Sequence, residues 1–411
     1  MANTFNTNKR TELVLVRSAE AASFLTVGSD SRLKDQLVGK RNGQEYEFVI
    51  RDAGEYQEGM DLSVEAGGKG ASELTERKVN LGISIGNVLI KTNLLEKVTD
   101  VNWDKEIAIP QGEKIAKGLV KSVLKKEIGK QNTAFVGQGW LPLFKASNFL
   151  ESISSEAQYA FVDPSVESVM QSTGKGFNPA NNVEPMYQKG LKGTVASAEV
   201  RAQQGMPSVI ISADLAAELA TATVTGFEQT ATGFDYVKLS GVSEAIPAGT
   251  PIFVEEVYAT DLVGEKTSAL KAFIAVEKAE GGVVKVRHSD MSGEGTKELC
   301  DEDGEALAAS SFNNKRLVNT IGAGTYFPGI FRCKGAFEFD TLPELDWSNA
   351  DDGTAVTSVA SGMTIHTGRA GDVLKGTNLT RYCIAAVAGT VEPRVASYVL
   401  IKDATANLVA H

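Results

Sequence analysis

The chain has 411 residues, with 41 Lys and Arg against 52 Asp and Glu, a net charge of −11, and 42% hydrophobic and 23% charged residues. This length supports one large core or two to three domains. The acidic balance excludes nucleic-acid binding over the whole surface but leaves room for a local basic face. Cys300, Cys333 and Cys383 are too few and too scattered for a disulfide framework, no apolar tract is long enough for a bilayer, and the start MANTFNTNKR has no signal-peptide pattern. A chain made in a reducing cytoplasm, without membrane contact, is expected.

Residues 1–45 read as a polar arm with one short apolar segment, Leu13 to Val16, and a weakly helical stretch from Ser31 to Val38. Leu13, Leu15, Phe24 and Leu25 would be exposed on a free arm, so the arm is expected to pack on a neighbouring element or subunit. Two alternating segments follow, Tyr46 to Ile50 and Val79 to Ile85, which predict a long β-ribbon. The stretch between them, Asp52 to Lys78, holds Gly54, Gly59, Gly67, Gly68 and Gly70. Gly67-Gly68-Lys69-Gly70 lacks the spacing and the hydroxyl residue of a phosphate loop and reads as a flexible tip.

The strongest periodic signal runs from Glu113 to Lys130. Ile115, Leu119, Val120, Val123, Leu124 and Ile128 recur at helical spacing, while Lys114, Lys117, Lys121, Lys125 and Lys126 occupy the opposite surface. Pro110 and Gly129 read as its boundaries. A lysine face of this kind serves either as a solvated surface or as a rail against a polyanion.

Beyond Gln131, Tyr159 to Val162 predicts a strand, Asp163-Pro164 a helix start running to about Ser172, and Ser208 to Ser212 another strand. From about Ala222 to His288 short strands recur roughly every ten residues: Tyr236 to Leu239, Ile252 to Val254, Phe273 to Val276 and Val283 to Val286. Turns at Pro247, Gly249, Gly264 and Gly281-Gly282 separate them, the rhythm of a small barrel or sandwich. Strand-like segments close the chain at Gly329 to Phe339, Met363 to His366, Tyr382 to Val387 and Val395 to Ile401.

Familiar catalytic or cofactor chemistry is missing from the sequence. His288, His366 and His411 share no metal-ligand spacing with one another or with the cysteines. Asp301-Glu302-Asp303-Gly304 opens like a calcium loop, but Phe312 stands where the closing glutamate belongs, so an exposed acidic turn is expected. No nucleophile elbow, dinucleotide fingerprint or phosphate loop is present. The expectation is a non-enzyme with no catalytic, cofactor-binding or metal site.

The order of parts, arm, ribbon, long amphipathic helix, mixed domain, inserted β module and closing strands, resembles the coat proteins of tailed bacteriophages with the Hong-Kong-97 fold. It is most similar to those of the short-tailed Salmonella-type phages (genus Lederbergvirus). Gln57-Glu58-Gly59-Met60-Asp61-Leu62 is similar to a family run in the ribbon, with Met60 replacing an aromatic residue. Phe234 to Ser240, followed by Gly249 and Ile252, is similar to the opening of the family's inserted domain. Gly371-Asp372 and Tyr382 to Pro393 resemble its closing stretch.

The resemblance implies an α+β Hong-Kong-97-type capsid fold with seven segments. These are an arm (1–45), an extended β-ribbon loop (46–85), a peripheral domain with a spine helix (86–132), an axial domain (133–222 and 314–385), an inserted β-barrel (223–313) and peripheral closing strands (386–411). It implies a major capsid protein assembled in the host bacterial cytoplasm into a virion shell of hexamers and pentamers. Its implied partners are a scaffolding protein, a portal protein and packaged double-stranded DNA, with no membrane. Gln57, Glu58, Gly59, Met60, Asp61 and Leu62 would contact a neighbouring subunit, and Lys117, Lys121 and Lys125 would face the DNA. Some relatives with this fold link a ribbon lysine to a neighbour's asparagine, and Lys69 is the candidate here, but the more similar family implies no such link and none is expected. Two rival readings are an encapsulin-type compartment shell and a β-rich tail or carbohydrate-binding protein. Aromatic residues make up only 7% of the chain, which tells against the second.

Overall fold

In a computed structural model the described residues are 14–15, 22–30, 41–42, 45–51, 76–93, 109–166, 191–230, 233–291, 297–342, 352–357, 363–372 and 377–403. The principal elements, in chain order, are β1 (Glu76–Asn93), α1 (Ile109–Glu127), β2 (Thr133–Gly137), α2 (Leu141–Ile153), α3 (Ala213–Thr221), β3 (Pro251–Thr260), β4 (Lys266–Ile274), β5 (Val283–Arg287), β6 (Gly324–Cys333), β7 (Thr377–Thr390) and β8 (Ala396–Lys402). The chain divides into two units, residues 1–48, 80–125 and 337–389, and residues 49–79, 126–336 and 390–411.

The first unit is built on a sheet ordered Ser29–Asp30, Phe337–Thr341, β7, β1, Glu45–Arg51, Arg41–Asn42, with Thr364–Asp372 also on β7 and Asp352–Thr357 beyond it. β1 and β7 pair antiparallel from Ile83↔Val387 to Asn93↔Thr377. β1 therefore runs well past the Val79 to Ile85 segment that alternation predicts, because Asn87 and Lys91 sit at outward positions of one continuous strand. Arm residues Val14, Leu15, Phe24 and Leu25 are buried, and Phe24 meets the Phe337 ring edge-on at 5.6 Å.

Helix α1 lies over this sheet. Ile115, Ala116, Leu119, Val120, Val123 and Leu124 are all within 2% of full burial, whereas Lys114, Lys117, Lys121, Lys125 and Lys126 are exposed. The amphipathic pattern thus maps directly onto an inner and an outer face. The helix begins at Ile109, six residues before its apolar stripe, and Pro110 marks its start from within the first turn, where its missing N–H has no intrahelical partner to lose. Gly129, at φ +96°, reverses the chain after the last turn. Close approach of helix and sheet depends on Gly86, whose Cβ, if present, would lie 3.2 Å from the Ile115 carbonyl oxygen.

The second unit holds a sheet ordered β2, β8, β6, Gln158–Val162, Ala198–Ala202, Leu191–Val195, with Val209–Ile211 on the start of β6. α2 covers it, burying Leu143, Ala146, Phe149 and Leu150 against Ala160, Val162, Phe331, Val399 and Ile401. β2 and α2 were not predicted from the sequence, since Leu141, Leu143 and Phe144 begin the helix without a capping side chain. Gly329 to Phe339 is two strands rather than one, broken at Gly335, which takes φ +82°. Asp163 Oδ1 accepts the Ser165 N–H at 2.8 Å, as an N-terminal cap should; the rest of that predicted helix, from 167, lies outside the described residues.

Between α3 and β6 the chain forms two small sheets. One contains Thr223–Gln229, Phe234–Ser240 and β5, and the other β4, β3 and Leu299–Cys300, with Leu317–Val318 on β3. Backbone bonds join them at both seams: Val276 N–H to Lys285 O at 3.0 Å, and Val224 N–H to Lys315 O at 2.9 Å. Phe227, Phe273 and Phe312 fill the space between, with Phe227 and Phe312 stacked at 4.5 Å. Phe312, the residue that breaks the calcium-loop pattern, is fully buried. β4 ends at Ile274, so Ala275 and Val276 lie beyond the strand that was expected to include them.

Candidate functional site

The outer face of α1 is a row of exposed cations. Of these, Lys117 is paired with Glu113 at 3.6 Å across one turn, a solvent-screened contact worth little to folding. Lys121 and Lys125 continue the same row, so the three lysines singled out from the sequence share one exposed face of one helix.

The C-terminal end of α1 is locked by a buried carboxylate. Glu127 is 1% exposed and accepts from the Thr390 N–H at 2.9 Å, the Thr390 hydroxyl, and Lys130 Nζ at 2.8 Å. Gln131 completes the cap, donating from Nε2 to Glu127 O at 2.8 Å and accepting the Gly129 N–H at 3.2 Å. A carboxylate is unfavourable beside the negative end of a helix, so it needs these donors to stay there. Arg332 lies near enough to feel Glu127. Burial pulls its guanidinium down to about 9, against the attraction of that carboxylate.

On the opposite face of the β1–β7 pair from α1, Ile85 and Leu89 are 58% and 62% exposed, beside exposed Leu379, Lys91 and Arg381. Residues of one register row share a face, so Ile85, Leu89 and Leu379 are exposed on one side of the pair, interleaved with exposed Asn87, Lys91 and Arg381.

A cluster that the sequence reading missed lies inside the β module. Lys271, Glu298 and Asp235 are nearly or fully buried. Arg287 grips Glu298 through both guanidinium nitrogens, and Asp235 accepts from the Ser289 N–H at 3.2 Å and pairs with His288 Nδ1 at 2.9 Å. The one available signal was Lys271 itself, a charge inside the apolar run Leu270 to Val276. A second missed group is Arg394, 1% exposed, held by Glu392 at 2.8 Å and donating to Leu262 O at 3.2 Å.

The Asp301 turn is closed by its own side chain, whose Oδ1 accepts the N–H groups of Asp303 at 3.0 Å and Glu305 at 2.8 Å, and Lys297 Nζ donates to Gly304 O at 2.7 Å. Among the described residues no group of three His, Cys, Asp or Glu side chains is placed to hold a metal ion. Gln57 to Leu62 and Lys69 lie outside the described residues.

No protein-family model and no curated protein matches the chain. Solved structures do align with it. The capsid structure of cyanophage P-SCSP1u aligns at 10% identity over 89% of this chain and 85% of that one, with a TM-score of 0.39. The head structure of Helicobacter pylori bacteriophage KHP40 aligns at 7% identity over 88% and 84%, with a TM-score of 0.42. A virus-like particle from Pyrococcus furiosus aligns at 7% identity over 94% and 96%, with a TM-score of 0.38. At such scores these likenesses carry no argument of their own about this chain.

Proposed function

We propose that this chain is the major capsid protein of a tailed double-stranded DNA bacteriophage, a structural subunit and not an enzyme. The observation that carries the reading is α1: a long helix seated on the β1–β7 pair with its apolar side inward and a row of lysines outward. A wall of such helices suits a shell that encloses a polyanion without gripping it, since confinement does the holding and sparse cations only soften repulsion. Exposed Ile85, Leu89 and Leu379 on the other side of the pair supply apolar side chains that subunit contacts can cover.

In this reading the region of Gln57 to Leu62 reaches a neighbouring subunit, the segment 223–313 is an inserted β-barrel, and assembly proceeds through a scaffold-assisted procapsid with a portal at one vertex. The similarity to short-tailed Salmonella-type phages supports these finer points through the residue runs quoted above. Negative-stain electron microscopy of the full chain expressed in bacteria tests the reading. Closed or spiral shells are expected; a monodisperse monomer at every concentration would overturn it.

A further inference from the structure

Lys271 is 1% exposed, and Asn132 beside it is 0% exposed. The lysine's shorter contact is not to a carboxylate but to an amide: Nζ lies 2.6 Å from Asn132 Oδ1 and 3.3 Å from Glu298 Oε2. Arg287 already occupies both oxygens of Glu298, so two cations share one carboxylate in a dry site. The backbones that present the pair are fixed, with the Ala272 N–H on Asn132 O at 3.1 Å and the Thr133 hydroxyl on Leu270 O at 2.8 Å. The adjoining crevice, lined by Gly129, Gln131, Lys271, Arg287 and Ser289, has no room for a water molecule.

From this geometry we propose that Lys271 and Asn132 join in an intramolecular isopeptide bond, with Glu298 moving the proton. The neutral amine attacks Cγ of Asn132, so the Nζ–Cγ bond forms. Glu298 takes one proton from Nζ and returns it to Nδ2, the Cγ–Nδ2 bond breaks, and ammonia leaves. No oxidant, reductant or co-reactant is needed. The site has two things such a step requires: a nucleophile hydrogen-bonded to its target amide at 2.6 Å and a base within hydrogen-bond reach at 3.3 Å. Burial pulls the Lys271 ammonium down to about 8, against the attraction of Glu298, which supplies the neutral amine near physiological pH. The product removes one cation from the site and leaves Arg287 and Glu298 as a matched pair. The link stays within one chain and does not depend on the capsid reading.

The test is the intact mass of the purified full chain under denaturing conditions, with tryptic peptide mapping. The bond lowers the mass by one ammonia, about 17 Da. It blocks cleavage after Lys271 and joins residues 131–145 to residues 267–278 in one branched peptide. Full mass with normal cleavage after Lys271 overturns the proposal without any variant being made. Lys271→Arg restores the full mass and loses the branched peptide. Glu298→Gln slows formation of the bond at least tenfold; formation at the parent rate would remove Glu298 from the reaction.

Discussion

Replacing Gly86 tests whether α1 is seated where its lysine row requires. An alanine Cβ there would sit 3.2 Å from Ile115 O, 3.3 Å from Ile115 Cγ2 and 3.4 Å from Leu119 Cβ, tight contacts that a shift of a few tenths of an ångström relieves. Leaving glycine in a strand recovers roughly 0.5–1 kcal/mol of backbone entropy, so Gly86→Ala is expected to change stability by less than about 1 kcal/mol. Valine adds two methyl groups against a carbonyl that moves only if the helix moves, and Ile115 and Leu119 are only 2% and 1% exposed. Overpacking of this kind costs about 1–3 kcal/mol, so Gly86→Val is expected to unfold at clearly lower urea, followed by circular dichroism. Gly118, on the same helix with nothing within 4 Å, provides the control. Gly118→Ala is expected to gain up to about 1 kcal/mol of helix propensity. If Gly86→Val matches the parent while Gly118→Ala shows its gain, the helix does not press on β1 at Gly86 and the argument fails.

Three further outcomes are expected. Phe312→Ala removes the ring stacked at 4.5 Å on Phe227 and should cost the β module about 3–5 kcal/mol in urea unfolding, against under about 0.5 for an exposed substitution. His288 should titrate above its usual 6.5, because the bond to Asp235 raises it more than burial lowers it. Stability from that pair is then fully present below the unfolded value and lost as pH rises through the raised folded value. The gap between the parent and His288→Gln should therefore be wider near pH 6 than near pH 9, and an unchanged gap would refute the pairing. Reversing charge at Lys117, Lys121 and Lys125 together should leave the fold intact and reduce DNA-filled particles more than empty ones, read from their ratio on a density gradient; equal losses return the row to an ordinary solvated face.

What the sequence made legible was periodicity. The α1 stripe and the Val283 to Val286 strand follow from spacing, because each presents one face to a core and one to solvent, whereas Tyr159 to Val162 shows only as a short apolar run buried on both faces. The signal failed where outward positions are polar, as in the extension of β1 through Asn87 and Lys91. It failed again at α2, whose entry at Trp140 and Leu141 has no capping side chain. The Lys271 cluster was invisible for a different reason. Its members lie at positions 132, 235, 271, 287 and 298, so only tertiary structure brings them together, and the lysine's place in an apolar strand was the single local clue. The lysine row was read correctly as one helix face, but its direction relative to a shell is a property of assembly and not of one chain.

A cryo-electron microscopy reconstruction of particles formed by the full chain tests the central claim most directly. The account predicts a closed shell of hexamers and pentamers in which Lys117, Lys121 and Lys125 line the lumen. Particles with the row turned outward, or no closed shell at all, would contradict it.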